Sequence, residues 1–483
     1  MAISFATIAA RRFGYGLKPG ETPPADVAGL MLQLERGSAA RPRFPHEGNT
    51  GRREAVGRLV SVRLVEARAA QDGRPNPSLR KETQDEAERL LRRDALARVA
   101  QAVASENGFF ERLAGFWVNH FSINATKTYE LRLLTSLFEA EAIRPHLRGR
   151  FVDLLRAAVL HPAMLIYLDQ SSSVGPESPA AERSGGTLNR SLAQELLETY
   201  TLGPHGGFTP EDVTGAALIL TGLAVDARTL EVSNRPGRAE PGAQKLLGKS
   251  YSDTARNGSD HMQMLADLAQ HPATAQHVCG KLASSFIADE VPADLVESMV
   301  AAWQASDGNL SAVYKAMLEH PLAFAPEARK VVTPFGFVVS ALRAFDVKGG
   351  QFEALVKADD DQGGDAVAPP DGKVVVPRRQ PSAARLLTLQ SLRRMGQPVW
   401  EPPSPNGFPD DAGSWLSAHQ LTERISWARM AVRMLAQDVS PLDFLQSALG
   451  DGVSDHTRAC VADAPNKVHA YTIALASPQF NRS

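Results

Sequence analysis

The sequence predicts an all-α fold, a multi-helix globular domain with a minor β-hairpin element and a mobile insertion. Apolar residues recur every three or four positions through most of the chain, which is the period of an amphipathic helix. Residues that cap helix N-termini stand where several of these runs begin. Hydrophobic residues make up 43% of the 483 positions and charged residues 22%, which allows a sizeable buried core.

The helical segments follow one another in chain order. Three runs with helical spacing occupy residues 88–105, 108–121 and 131–147, and the second half adds MLADLAQ, DLVESMVAAWQAS, LSAVYKAML and FGFVVSALRAF. Thr-Pro-Glu-Asp at 209–212 combines a capping residue, a proline at the first helical position and an acid at the third, so it predicts a helix start. Residues 417–420 and 440–443 repeat this signal.

A His-Pro or Ser-Pro pair recurs between predicted helices, in LHPAM (160–164), QHPAT (270–274), EHPLA (319–323) and ASPQF (476–480). One interpretation makes His161, His271 and His320 a set of ligands. The other makes the pairs helix-boundary signals, because proline disfavours helix in the residue before it and fits the first turn after it. We favour boundary signals, since the fourth copy has Ser477 in place of histidine.

Three stretches interrupt the helical pattern. Residues 171–187 are polar and rich in serine, glycine and proline, which predicts a flexible loop. Residues 223–250 carry short alternating pieces, so a small β-hairpin or irregular lobe is expected there. Residues 348–381 are rich in glycine, proline and acid, which predicts a low-complexity insertion or linker. Their DDDQGGD lacks the closing glutamate of a calcium loop, so a solvated turn is favoured.

Charge and cysteine content exclude several classes of protein. A formal charge of −2 without a dominant block of like charge argues against nucleic acid or an anionic membrane surface as the main partner. Cys279 and Cys460 lie far apart, which excludes a disulfide framework and a cysteine zinc site. The N-terminus lacks the order of a signal peptide and no apolar run reaches membrane-spanning length, so a cytoplasmic protein is expected. Export bound to a partner that carries a signal stays open.

Two carboxylates lie close together in SLAQELLETYTLG (191–203). On a helical wheel, Glu195 and Glu198 share a polar flank, while leucines and a tyrosine form the opposite side. A solvated helix face is the simpler interpretation. The alternative is a cleft between helices, in which paired carboxylates bind a cation or exchange protons.

His120 lies within an aromatic stripe of GFFERLAGFWVNHF (108–121). Such a histidine is more often a core residue held by one hydrogen bond than a ligand or a base. His120 is nevertheless the best candidate in this chain for a buried titratable group.

The segment GQPVWEPPSPNGFPDDAGSWLS (396–417) is a proline- and glycine-rich loop that carries Trp400, Phe408 and Trp415. Such aromatic residues can line a groove for a ligand or a partner. They can also form a lid over the end of a helical bundle, which we favour. The chain has no phosphate-binding glycine loop, no Gly-x-Ser-x-Gly elbow, no His-Glu-x-x-His motif and no dinucleotide fingerprint.

Several distinctive segments follow one another in a recognisable order: RRFGYG, FWVNHFS, HPAMLIYLD, NRSLAQELLETYTLG, FTPEDVTGAALILTG, KLLGKSY, HPATAQHVCGKLASSF, TPFGFVVSALRAF and GQPVWEPPSPNGFP. Together they resemble the bacterial domain of unknown function 1800 family over nearly the whole chain. Length alone suggests two or three domains, whereas the resemblance implies a single helical domain over residues 1–483. It implies little chemistry, because the family has no settled activity.

The resemblance also implies a partner. Members of this family are often encoded beside the domain of unknown function 1501 family, which resembles alkaline phosphatases and sulfatases and often carries a twin-arginine export signal. Many relatives begin with an export signal, whereas the first residues of this sequence are not expected to form one.

This sequence departs from the family pattern around the two glutamates. Relatives commonly read Asn-Glu-Asn, then Arg two residues on, then Glu. Asn189, Glu195 and Glu198 match here, whereas Arg190, Ser191 and Gln194 stand at the other positions. A His-Asp pair common near RAEPG is missing. If these residues form an active site in relatives, this chain has lost part of it.

Two functions are therefore considered, the first as the prediction and the second as its alternative. In the first, the protein is an accessory or binding partner of a phosphatase/sulfatase-like protein, with its helical faces and the 396–417 loop as contact surface. In the second, it is a hydrolase whose polar cleft combines His120, Glu195, Glu198 and Asp212, with a divalent cation on His120 and Glu195 or a proton relay through His120. Convergence of His120 and Glu195 on one metal favours the enzyme. Pairing of the glutamates with surface arginines favours the accessory role.

Overall fold

Helices make up most of the chain in the computed structural model, which describes residues 3–74, 76–251, 259–327, 330–347, 382–435 and 439–483. In these ranges the β structure consists of two short antiparallel strand pairs. The predicted all-α class with a minor β element is confirmed. The insertion predicted at 348–381 lies outside the described residues.

The helices of the first half are α1 Phe5–Ile8, α2 Val27–Ala39, α3 Gly48–Gln71, α4 Pro77–Ala104, α5 Gly108–His120, α6 Tyr129–Phe138, α7 Phe151–Val159, α8 Pro162–Tyr167, α9 Pro179–Ser184, α10 Ser191–Glu195 and α11 Pro210–Ile219. Those of the second half are α12 Ser259–Gln270, α13 Pro272–Phe286, α14 Ala293–Ala305, α15 Leu310–Glu319, α16 Pro334–Ala344, α17 Ala383–Leu387, α18 Leu389–Arg394, α19 Ala412–Trp415, α20 Ala418–Leu435, α21 Pro441–Leu449, α22 Asp455–Ala462, α23 Lys467–Ala476 and α24 Pro478–Asn481.

Three helices continue into π-helical turns, which are Ala9–Phe13, Glu139–Ile143 and Leu196–Tyr200. Short 3₁₀ turns connect other elements, at Arg144–His146, Gln170–Ser172, Pro236–Arg238, Pro321–Phe324 and Gly450–Gly452. The strands are β1 Leu223–Val225, β2 Val232–Asn234, β3 Gln244–Leu246 and β4 Lys249–Tyr251. β1 pairs with β2 and β3 with β4, so the lobe expected at 223–250 consists of two hairpins.

The predicted helix starts are confirmed by their hydrogen bonds. The Thr209 side chain accepts from the Asp212 N–H and the Asp212 side chain accepts from the Thr209 N–H, which closes a capping box. Ser417 Oγ accepts from the Gln420 N–H and Ser440 Oγ from the Asp443 N–H. These side chains satisfy backbone donors that have no partner within the helix.

The His-Pro pairs mark helix starts, as predicted. Nδ1 of His161, His271 and His320 accepts from the backbone N–H two residues on, at 3.1, 3.2 and 3.3 Å. Ser477 has the same role with its hydroxyl, which accepts from the Phe480 N–H at 3.2 Å. An imidazole with a lone pair on Nδ1 thus replaces the usual serine or aspartate cap.

The segment at 171–187 contains more structure than its composition suggests. Helix α9 lies within it, and the Val174 N–H donates to the Thr187 carbonyl. The Glu177 N–H donates to Glu240, which precedes β3. The prediction of a loop therefore missed a helix, and its flexibility stays a prediction.

Two hydrophobic cores share one long helix. Leu90 of α4 belongs to a core built mainly from α5 to α8 and α10 to α15. Val99, further along α4, belongs to a second core with α16, α20, α21 and α23. Trp400 packs against Phe44 in a small third cluster. Across the described residues, no helix combines the length and the apolar character that a bilayer-spanning segment requires.

Candidate functional site

A cavity of about 350 Å³ lies where the cores meet, between α5, α13, the 330–335 segment and the 396–417 loop. Its polar lining side chains include Tyr15, Arg98, Arg112, Asn119, His120, Glu139, Lys281, Ser285, Lys330, Thr333, Gln397, Asn406 and Asp410. Its apolar walls include Phe116, Phe335, Val399, Trp400 and Phe408. The volume is that of a small-ligand site, for which roughly 300–1,000 Å³ is typical.

Helix α5 presents a polar row to this cavity. Asn119 and His120 follow Arg112 by seven and eight residues, about two helical turns, and all three side chains line the cavity. Leu113 and Trp117, on the neighbouring face, are fully buried in the first core. The apolar stripe therefore fixes the rotation of α5, and this rotation turns the polar row towards the cavity.

Helix α13 supplies a second row in which His277, Lys281 and Ser285 follow each other at intervals of four. Lys281 and Ser285 line the cavity. The His277 ring lies 6.4 Å from the His120 ring, measured between centroids. Imidazole, amine and hydroxyl groups thus lie along one helix face beside the row of α5.

The 396–417 loop covers the cavity and is held by side-chain hydrogen bonds. The Asn119 amide donates to the Phe408 carbonyl at 2.9 Å and accepts from the Phe408 N–H at 2.7 Å. Trp400 Nε1 donates to Glu139 at 2.9 Å, and the Asn124 amide donates to the Pro402 carbonyl at 2.8 Å. This arrangement agrees with the lid interpretation of the sequence.

The three aromatic residues of the loop have different positions. Trp400 and Trp415 are 5% and 3% exposed, and Phe408 is partly exposed. Trp400 and Phe408 line the cavity. Trp415 is not part of the cavity lining, and its Nε1 donates to the Pro409 carbonyl of the same loop at 3.0 Å. Of these three loop residues, Trp400 and Phe408 are therefore the ones that a ligand in the cavity would contact.

Two of the four cations that line the cavity are neutralised by carboxylates. Arg98 Nε lies 2.8 Å from Glu139, and a second carboxylate, Glu111, lies 3.9 Å from Arg98 Nη1. Lys330 is buried, forms an ion pair with Asp289 and donates to the Asp410 carbonyl. These two cations therefore belong to the framework of the site.

The other two cations, Arg112 and Lys281, form no hydrogen bond or ion pair with the residues that the structure describes. The Arg112 guanidinium stacks over the rings of Tyr15 and Phe286, at 5.6 and 5.2 Å from their centroids, and its buried Nε has no acceptor. Asp410 is the carboxylate whose charge acts on both cations. The cavity therefore holds more cationic than anionic side chains.

Burial shifts the pKa of the charged groups in this cavity. It lowers the pKa of Lys281 to about 8, although the charge of Asp410 acts in the opposite direction. It raises the pKa of Asp410, against the effects of Lys330, the Ser285 hydroxyl and Arg112. Each charge is thus incompletely compensated by the protein itself.

The two histidines of the site are uncharged donors. His120 Nε2 lies 3.2 Å from the Tyr200 carbonyl and His277 Nε2 lies 3.1 Å from the Thr199 carbonyl, so both Nε2 atoms carry the proton. Burial lowers the pKa of His120 well below 6.5, and the positive charge of Lys281 lowers it further. Nδ1 of His120 is buried without a partner among the described residues. His120 is a core histidine that also lines the cavity.

Glu195 and Glu198 lie outside the cavity lining. Glu195 accepts from the Thr199 hydroxyl at 2.8 Å, and this hydroxyl also contacts the amide oxygen of Asn406 in the lid at 2.7 Å. Burial raises the pKa of Glu195, and the neighbouring Glu198 charge raises it further. Glu198 accepts from the Gln194 amide. Neither glutamate forms an ion pair with a described arginine or lysine.

Asp212 has a structural position rather than a place in the cavity. One carboxylate oxygen accepts from the Thr209 N–H and hydroxyl, and the other accepts from the Leu247 N–H at 2.7 Å. Both oxygens thus join the start of α11 to the second hairpin. In the described residues no three histidine, cysteine or carboxylate side chains cluster as metal ligands, so the cation suggested for His120 and Glu195 finds no such group there.

The structure places Arg112, Lys281 and Asp410 in the cavity lining, although the sequence analysis did not select them as site residues. They come from three distant segments and belong to no motif. One signal was present. In HVCGKLASS (277–285) polar residues recur at intervals of four on a helix that is otherwise apolar, which indicates a polar row facing an internal site.

Comparisons with known proteins give one match. A family model described as "Protein of unknown function (DUF1800)" matches residues 8–482, nearly the whole chain. No curated protein and no solved structure shows a significant match. The description of the family names no activity. A function can therefore be inferred only from the residues that line the cavity.

Proposed function

Because the chain belongs to the DUF1800 family of proteins of unknown function, its role is argued from the site, and we propose that the protein binds a small organic anion beneath the 396–417 loop. The observation that carries this proposal is the pair Arg112 and Lys281, which share one cavity and have no hydrogen-bond acceptor among the described residues.

The free-energy cost of burying an unpaired charge supports this proposal. Removing a charge from water without a partner costs several kcal/mol, so such charges persist mainly where a ligand completes them. A planar guanidinium matches the two oxygens of a carboxylate or phosphate, and an ammonium adds a third donor. Phe116, Phe335 and Trp400 provide apolar walls for the carbon skeleton of the ligand.

The residues of the cavity bear differently on the two functions considered from the sequence. The hydrolase based on His120, Glu195 and Glu198 remains a proposal, with only His120 in the cavity lining. The accessory role beside a phosphatase/sulfatase-like protein remains a prediction from the family resemblance. Anion binding is the function that the described contacts support best.

Calorimetric titration tests the proposal, with pyruvate, phosphate and sulfate as probes and uncharged pyruvamide as the neutral match. We expect at least one anion to bind more tightly than pyruvamide. Arg112→Gln should weaken that binding about 10- to 100-fold, because a charge-assisted hydrogen bond contributes about 1.5–3 kcal/mol. The exposed Arg58 provides the control, since Arg58→Gln leaves the cavity unchanged. Failure of every anion to bind, or equal affinity for pyruvamide, would overturn the proposal.

A further inference from the structure

We propose that Lys281 forms an imine with the carbonyl carbon of a bound oxo acid, whose carboxylate is held by Arg112. This inference rests on the proposed function and names the class of anion. It starts from a difference between the two lysines that line the cavity. Lys330 is bound by Asp289 and by the Asp410 carbonyl, whereas Lys281 has no acceptor among the residues described.

A lysine reacts with a carbonyl group only in its uncharged form. An ordinary lysine, with a pKa near 10.4, has roughly one neutral amine in a few thousand at pH 7. Burial lowers the pKa of Lys281 to about 8, so roughly one amine in ten is neutral there. The nearby His120 and His277 are uncharged donors to backbone carbonyls and provide no anion that would hold the ammonium form.

The reaction balances with groups of the cavity. The Lys281 ammonium loses a proton to Asp410, and the amine adds to the carbonyl carbon to give a carbinolamine. Asp410 then returns a proton to the carbinolamine oxygen, which leaves as water, and a protonated imine remains on Nζ. One ammonium and one carbonyl thus become one iminium and one water, and no oxidant or reductant takes part. The raised pKa of Asp410 suits both proton transfers.

The remaining lining groups define the oxo acid. Arg112 can bind the carboxylate in a bidentate manner, which places the adjacent carbonyl group next to it. The volume of about 350 Å³ and the phenyl walls of Phe116 and Phe335 favour a small oxo acid with a short apolar side chain. The lid over this space limits exchange with bulk water, which would otherwise hydrolyse the imine.

Borohydride trapping tests the inference. Wild-type protein is incubated with pyruvate and borohydride, digested and analysed by peptide mass spectrometry. We expect the peptide that contains Lys281 to carry one reduced pyruvate. Lys281→Arg should abolish this label and keep pyruvate binding within a few-fold, because the arginine retains the charge. Arg112→Gln should lower the label and the affinity together. The control Lys315→Arg removes an exposed lysine and should be labelled like wild type.

The outcomes separate the two proposals. Pyruvate binding in calorimetry without label at Lys281 overturns the imine and leaves anion binding standing. Equal label in Lys281→Arg also overturns it, because another amine then reacts. If pyruvate, phosphate and sulfate all fail to bind, the proposed function falls as well.

Discussion

His120 shows at the scale of single residues how surroundings set the chemistry of a side chain. Its ring is 1% exposed, donates from Nε2 to the Tyr200 carbonyl and packs against Trp117 and Phe121. A cation at this position would lose its hydration and would face the charge of Lys281. The neutral imidazole is therefore the form that the fold retains.

A dependence of stability on pH follows. The pKa of His120 is near 6.5 in the unfolded chain and well below that in the folded one, so below pH 6.5 the unfolded state binds the extra proton. The contribution of His120 to the free energy of unfolding is fully present above pH 6.5 and falls with decreasing pH, by about 1.4 kcal/mol per pH unit for a single such histidine. Urea unfolding at pH 7.5, 6.5 and 5.5 measures this slope. His120→Gln keeps a donor for Tyr200 and should show a shallower slope. Equal slopes would contradict the assignment.

The sequence predicted some of these residues and not others. Burial of His120 was predictable, because its aromatic neighbours recur at helical spacing. Arg112 was not, since its importance depends on the absence of a nearby acceptor, and that absence is decided by segments more than a hundred residues away. The spacing of residues along the chain predicts which helix face a side chain occupies. Which groups surround that side chain depends on the tertiary structure.

At the scale of elements, the His-Pro boundaries show that local chemistry suffices to place a helix start. A capping acceptor followed by proline satisfies one free backbone donor and supplies the backbone angle of the first turn. His271 meets this requirement through Nδ1, which accepts from the Ala273 N–H at 3.2 Å. Because the acceptor matters more than the ring, Ser477 has the same role at the start of α24.

Substitution of His271 tests this equivalence. His271→Ala removes the acceptor from the start of α13 and should lower the free energy of unfolding by about 1 kcal/mol. His271→Ser restores an acceptor and should stay within roughly 0.5 kcal/mol of wild type. Urea unfolding of both variants measures the difference. Equal losses would show that packing of the ring, rather than the cap, is what matters.

The helix with the two glutamates shows where local reasoning was insufficient. The wheel assumed a uniform α-helix, whereas Leu196–Tyr200 forms a π-helical turn. Thr199 and Tyr200 are the last residues of this turn, where carbonyl groups have no partner within the helix, and His277 and His120 donate to them. Hydrogen-bond donors on two other helices, α5 and α13, thus stabilise this conformation. The spacing of residues within the segment does not predict them.

The lid allows a test of close contact between two elements. Gly407 has φ +85°, and a Cβ atom there would lie 2.4 Å from the Asn119 carbonyl oxygen. Gly407→Ala should therefore cost roughly 2 kcal/mol or more, because overlap adds to the usual 1–2 kcal/mol of left-handed strain. Gly20→Ala is the matched control, with φ +79° and no heavy atom within 4 Å. Limited proteolysis should cut the 402–410 segment faster in Gly407→Ala than in Gly20→Ala. Equal rates would show that the lid tolerates the contact.

At the scale of the whole molecule, a buried ion network adds polar contacts between α4, the lid and the π-helical turn Glu139–Ile143. Glu139 lies 2.8 Å from Arg98 of α4 and 3.2 Å from Arg144, and accepts from Trp400 of the lid at 2.9 Å. Trp400 itself has φ +58°, a backbone conformation that residues other than glycine rarely adopt without compensating contacts. The network therefore adds charged contacts to the apolar cluster in which Trp400 already packs with Ala95 of α4. Composition and periodicity predicted the helices, but they contain no information on which charges meet inside.

Removing one charge from this network should lower the stability of the whole protein. Glu139→Gln leaves Arg98 and Arg144 facing each other with the Glu111 carboxylate alone, and should lower the free energy of unfolding by roughly 3–5 kcal/mol, as for other broken buried pairs. Glu319→Gln removes a carboxylate from an exposed pair with Lys315, 3.6 Å away, and should change stability by less than about 1 kcal/mol. Urea unfolding followed by tryptophan fluorescence measures both variants. Since only Glu139→Gln replaces the charged acceptor of Trp400 Nε1 by a neutral amide, the native-state emission should also shift in that variant alone. A loss below about 1 kcal/mol for Glu139→Gln would mean that the apolar cores, without the charges, hold the lid and α4 together.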